Sequence, residues 1–133
     1  MAGGLGKRLG SITKHKPKPA IIVGGKPFII HKLDYLISIG FKKFFFIVSY
    51  KKDLLKKLIV PYLEKQNVVY DFFSEQKRSG TFNALYSINY NLPNHFFYTN
   101  ADEILDYDIM LMYNKFLNEK FDEIGRASCR ERV

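Results

Sequence analysis

Phe44-Phe45-Phe46-Ile47-Val48 is the stretch that most limits what this chain can become. Five consecutive apolar residues leave no polar face, so a strand built from them must be covered on both sides. Upstream, Phe28, Ile29, Leu33, Leu36 and Ile37 recur at helical spacing, with Pro27 suited to the first turn and Gly40 to a C-cap. Downstream, 53–63 reads as a second helix interrupted near Pro61, and 68–73 as a second strand. Residues 81–91 read as a helix with Ala84, Leu85 and Ile88 inward, 96–99 as a third strand and 108–121 as the last helix. Strands alternating with helices of this length predict an α/β fold, a parallel sheet with right-handed crossovers and helices on its faces.

The 133 residues suffice for one domain with an ordinary core. The 12 Phe and 9 Tyr are most economically assigned to that core rather than to a base-stacking platform. No apolar run approaches the length of a membrane span, and no apolar leader follows the glycine-rich start, so a cytoplasmic protein is expected. Residues 123–133, EIGRASCRERV, differ in flavour from everything before them: they hold three arginines and the chain's only cysteine. Ile124 to Val133 is what a widely used sequencing-library adapter encodes when read through, so this tail is expected to be an artefact and is left out of fold reasoning. Without it there is no cysteine for a disulfide or a thiolate zinc site. Removing 124–133, with three arginines and one glutamate, lowers the formal net charge from +8 to +6. The remaining lysines at 14–18, 42–43, 51–52 and 56–57 favour anionic ligands without choosing among them.

In parallel α/β sheets, ligands bind at the carboxyl ends of the strands. Three polar features fall there, the Lys18 segment, the loop 74–80 and Asp102, and they are predicted to converge. Gly3, Gly4 and Gly6 ahead of Lys7-Arg8 suit a loop that wraps phosphate with backbone N–H groups, although such a loop alone is more often a turn. It is neither a Walker A motif nor a GxGxxG fingerprint, since Leu9 fills the third glycine's place. Residues 11–27 are too rich in Pro, Gly and Lys for regular structure, with Pro17 and Pro19 holding the chain extended on both sides of Lys18. Lys26 is balanced between structural pairing and phosphate binding, and Asp106 and Asp108 read as helix caps. His15, His31 and His95 show no metal-ligand spacing.

The stretches AGGLGKRLG, KPKPAIIVGGKPFI, SGTFNAL and NAD occur in an order and spacing that resembles the sugar-1-phosphate nucleotidyltransferases, over residues 2 to about 121. That resemblance implies a Rossmann-like parallel sheet sandwiched by helices, and transfer of a nucleotidyl group from an NTP to a sugar 1-phosphate with release of pyrophosphate. It implies that Gly3, Gly4, Leu5 and Gly6 approach the nucleotide, with Leu5 on the base, together with Gly80 and Thr81. Arg8 would grip the pyrophosphate portion, Lys18 the α-phosphate or sugar phosphate, and Asp102 Mg²⁺. Glu75 stands at the family's base-reading position, and a carboxylate there can accept from a guanine's N1–H and amino group, which favours GTP.

Departures from the family pattern bear on base identity and efficiency. Arg78 replaces a proline, Phe82-Asn83 replace two small residues, and Ala101 and Glu103 flank the metal-binding aspartate atypically. The resemblance further implies that 1–122 is the nucleotide half of an enzyme cut at both ends, lacking the family's first strand and its sugar-binding half. The isolated chain is then expected to fold poorly and to lack full turnover, and a homo-oligomer is conceivable only for the full-length protein. The rival reading is a non-catalytic nucleotide or sugar-nucleotide sensor on the same fold. Nucleic-acid binding ranks last, because it rests on positive charge without a recognition motif.

Overall fold

The computed structural model describes residues 16–48, 52–74, 81–88 and 91–119. The described part opens with a 3-10 turn, Lys18–Ala20, closed by the Ala20 N–H donating to the Pro17 carbonyl at 2.9 Å. Sequence reading expected irregular, extended chain on both sides of Lys18. Pro17 is extended, but the turn takes in Lys18 and Pro19, because Pro17, Pro19 and Ala20 are buried and anchor it.

A two-residue hairpin follows, β1 (Ile22–Val23) antiparallel to β2 (Lys26–Pro27). Gly24 and Gly25 link them at φ of 54° and 85°, and positive φ at both central residues is what a type I′ turn requires. Helix α1 (Phe28–Ser38) starts directly after Pro27, and Gly40 ends its last turn at φ 106°.

The apolar run becomes β3 (Lys43–Val48), whose Phe44, Phe46, Ile47 and Val48 are buried. It pairs in parallel with β4 (Val69–Ser74), in the register Lys43↔Val69 to Val48↔Ser74. Directly paired Phe46 and Phe72 stack with ring centroids 4.9 Å apart.

Between the two strands runs α2 (Lys52–Lys65), a parallel crossover. Its Leu55, Ile59 and Leu63 repeat every four residues and are fully buried against the α1 and β3 residues of the main core. The expected interruption at Pro61 does not occur, and the helix runs through it. Pro61 lies on the exposed side, where a backbone carbonyl left without its N–H partner can reach water.

Helix α3 covers only Thr81–Tyr86, shorter than expected, with Ala84 and Ile88 packing on Ile47 in a smaller second core. Residues 96–99, expected as a third strand, carry no ladder pairing among the described residues. They line, together with β3, a cavity of about 400 Å³ that Ile29, Leu33, Leu85 and Ile88 also face. Helix α4 (Ile109–Glu119) is capped by Asp108, whose Oδ1 accepts from the Leu111 N–H at 2.9 Å. No helix among the described residues is long and apolar enough to cross a membrane.

Candidate nucleotidyl-transfer site

Two of the residues predicted from sequence meet. Lys18 Nζ lies 3.3 Å from Asp102 Oδ2, although 84 positions separate them along the chain. Local structure accounts for the meeting. Buried Pro17 and Pro19 grip the turn on either side of Lys18, leaving its side chain part-exposed. On the facing loop, Ala101 is buried in the main core, which leaves its neighbour Asp102 to present a carboxylate 43% exposed. An ion pair this open to water holds its partners weakly and exchanges them readily. A phosphate or a hard cation can therefore compete for either partner.

A third charged group, which sequence reading passed over, lies behind this pair. Lys32 on α1 is only 7% exposed, and its ammonium reaches across to the loop that carries Asp102. Nζ donates to Thr99 Oγ1 at 2.7 Å, to the Glu103 carbonyl at 2.9 Å and to the Asn100 carbonyl. An ammonium has three protons, and here each has an acceptor. Burial pushes the Lys32 pKa down to about 8, while the carboxylates of Glu103 and Asp102 work in the opposite direction. A signal for Lys32 was present: it occupies an inward position in the series 29, 32, 33, 36, where an apolar residue is expected.

Lys26 resolves toward structural pairing. It bonds to the Asp34 carboxylate, which also accepts from the Tyr62 hydroxyl, so the hairpin, α1 and α2 are tied at one point. Burial works against the charged form of Asp34, but hydrogen bonds from Lys26 and Tyr62 outweigh it and hold the carboxyl below its usual value. Burial and the same carboxylate push the Tyr62 phenol up. His31 spends its Nε2 on the Val23 carbonyl at 2.7 Å, an ordinary polar role.

The remaining predicted site residues, Gly3, Gly4, Leu5, Gly6, Arg8, Glu75 and Gly80, lie outside the described residues, as do the tail 123–133 and His15. Thr81 is the first residue of α3. Of the predicted three-way convergence, the Lys18 and Asp102 limbs meet, while 75–80 lies outside the described residues. Among the described residues, no group of three or more His, Cys, Asp or Glu could cage a metal ion.

Comparison with known proteins places the chain in a family. A fungal mannose-1-phosphate guanyltransferase from Hypocrea jecorina is 31% identical over 110 residues, 80% of this chain and 30% of its own length. The enzyme of the same name from Emericella nidulans is 33% identical over the same coverage. The crystal structure of HddC from Yersinia pseudotuberculosis superposes with a TM-score of 0.76 at 28% identity, covering 88% of this chain and 52% of that one. A second structure of HddC, complexed with GMP-PN, matches equally well. The chain thus spans less than a third of these curated relatives and about half of HddC. With the family profile described as nucleotidyl transferase matching residues 1–130, the chain belongs to the nucleotidyl transferase family.

Proposed function

We propose that this chain is the nucleotide-binding part of a sugar-1-phosphate nucleotidyltransferase, with GTP as the favoured nucleotide. The observation that carries the proposal is the Lys18–Asp102 pair: a cation and a carboxylate from distant segments, 3.3 Å apart and open to solvent, in a chain of this family. The guanyltransferase names of the relatives and the GMP-PN complex of HddC support guanine, as does the carboxylate of Glu75 in the chain's sequence.

In the reaction, a sugar-phosphate oxygen attacks the α-phosphorus of the NTP. One P–O bond forms, the bond to the β-phosphate oxygen breaks, and pyrophosphate leaves. Negative charge builds on the phosphoryl oxygens, so the work of the protein is positioning and positive charge. Lys18 exchanges Asp102 for a phosphate oxygen and holds the reacting groups in line. Arg8 neutralises the departing pyrophosphate, and the glycines Gly3, Gly4 and Gly6 present backbone N–H groups to the triphosphate.

Asp102 suits magnesium, since it offers an accessible hard-oxygen ligand. Such a cation keeps water and phosphate oxygens as further ligands. When bound, Mg²⁺ would supply Lewis-acid neutralisation of the phosphates. The sugar 1-phosphate is the second substrate.

The test is pyrophosphate release by the full-length protein over a panel of NTPs and sugar 1-phosphates. Release with GTP and a hexose or heptose 1-phosphate is expected. No release with any pair would overturn the proposal, and nucleotide binding without release would favour the sensor reading.

A further inference from the structure

Lys32 is a lysine where the helix pattern calls for an apolar residue, and placing it there is costly. An ammonium withdrawn from water must recover its hydration from protein oxygens or be destabilising. Here the recovery comes entirely from one loop: Thr99 Oγ1, the Asn100 carbonyl and the Glu103 carbonyl. Those three acceptors bracket Ala101 and Asp102 on both sides. The ammonium therefore ties the two ends of a tight loop to the rigid helix α1, while the buried Ala101 pins its middle. The remaining direction for the Asp102 side chain is outward, toward Lys18 at 3.3 Å. A purely apolar side chain at position 32 could fill the same space but could not hold two backbone carbonyls in place.

Other features are weaker by comparison. The Lys26–Asp34–Tyr62 cluster ties the hairpin, α1 and α2 together, and the exposed apolar residues Met110, Tyr113 and Leu117 of α4 have nothing beside them to say what covers them.

We propose that Lys32 is a positioning residue for the metal- and phosphate-facing carboxylate. Its ammonium, bonded to Thr99, Asn100 and Glu103, fixes the loop in the one arrangement that presents Asp102 beside Lys18. The proposal rests on the assignment of Asp102 as the metal-holding residue. It adds that metal affinity is set from inside α1, by a side chain that touches neither metal nor substrate. Outer contacts of this kind are typically worth about 10–100-fold in metal affinity or activity.

The experiment compares full-length wild type with Lys32→Met, which keeps length and packing but removes every donor, and Lys32→Arg, which keeps charge and donors. Half-saturating Mg²⁺ for pyrophosphate release should rise about 10-fold or more in Lys32→Met, with KM for the NTP at saturating Mg²⁺ changed less than about 3-fold. Lys32→Arg should recover a substantial part of the loss. Two readouts do not depend on turnover. Mn²⁺ affinity, followed by the loss of the free-ion electron-spin resonance signal, should fall in Lys32→Met. Backbone amide exchange should accelerate across 100–103 while that of α2 and β4 stays unchanged.

In a folded Lys32→Met, unchanged Mn²⁺ affinity together with unchanged exchange at 100–103 would overturn the proposal. So would exchange raised equally throughout, which would make Lys32 a general packing residue. Where Lys32→Met does not fold, Lys32→Leu and Thr99→Val take its place: the first again removes every donor, the second removes the Thr99 acceptor, and unchanged Mn²⁺ affinity with unchanged exchange at 100–103 in the variant that folds would overturn the proposal. Wild type that releases no pyrophosphate with any substrate pair would defeat the functional assignment, and the Mn²⁺ and exchange measurements would still decide the role of Lys32.

Discussion

Lys32 and Asp34 are two residues apart on α1 and organise two quite different polar clusters. Residues at that spacing point to different sides of a helix, and the two sides meet different surroundings. Lys32 is buried, bonded to uncharged oxygens, and joins the helix to a loop 67 to 71 positions away in sequence. The Asp34 side chain is 40% exposed, bonded to a lysine and a tyrosine, and joins the helix to a hairpin 8 positions away and to α2.

The formal ion pair is thus the weaker device. Water screens Lys26–Asp34 and can replace either partner at small cost. Lys32 has no substitute for its three acceptors, so removing them or it leaves buried polar groups unsatisfied. Of the two clusters, the one without a salt bridge governs the candidate site, and the one with it secures the fold locally.

The comparison can be broken hardest at the site. On the roles proposed for them, Lys18→Ala or Asp102→Ala in the full-length protein should lower pyrophosphate release by about 100-fold or more, since each would remove charge that serves the transition state. Thermal stability should barely change in either, because the pair is solvent-exposed. If these variants retain turnover, the loop that Lys32 holds is not the working part of the molecule.

A packing control comes next in size. Ile59→Ala, at an apolar position with no exposure, removes no polar contact of its own and should destabilise the fold by about 2–5 kcal/mol in denaturant titration. A much smaller loss would mean that the polar clusters, not the α1–α2–β3 packing, dominate stability.

Lys32 also sharpens the comparison through pH. Its pKa falls from 10.5 in the unfolded chain to about 8 on folding. Between those values the unfolded chain binds more protons, so folding becomes more favourable as pH rises. Wild-type stability relative to Lys32→Met should therefore increase from pH 8 to 10.5, by an amount on the order of 2–3 kcal/mol. Below pH 8 the difference should be flat. An increase confined to the acid side would contradict the burial of this ammonium.

Asp34 should show a rise with pH of the same sign, but in the acid range, and the smallest effect. Its folded pKa is held below 3.8, so its stabilisation is complete above that value and is lost as pH falls through the folded pKa. Asp34→Asn should cost about 1 kcal/mol at neutral pH, and the gap from wild type should close only in acid. A gap that widened as the pH fell would contradict the pairing of Asp34 with Lys26.

Much of the fold is legible in local pattern. The run 44–48 reads as a buried strand because it has no polar face, and α1 reads from its apolar spacing between Pro27 and Gly40. Asp108 reads as a cap from its place before an apolar helix. Local pattern misleads where the decision is made elsewhere. Pro61 stays helical because it faces water, and among the described residues 96–99 shares a cavity wall with β3 and no ladder. The Gly24-Gly25 pair was a hairpin signal, overlooked because two-residue strands leave no apolar alternation to notice.

For the site, the alternation of strands and helices was enough to point to the Lys18 segment and Asp102 at strand ends, and the family resemblance gave them their expected phosphate and metal roles. Their 3.3 Å meeting across 84 positions was decided by tertiary structure alone, as were the three oxygens around Lys32 and the pairing of Lys26 with Asp34. The reason is one of range. Helix, strand and turn preferences are set by atoms a few residues apart. The partners of a long charged side chain are set by which distant backbone the packed core brings within reach, and by how little water is left there to compete.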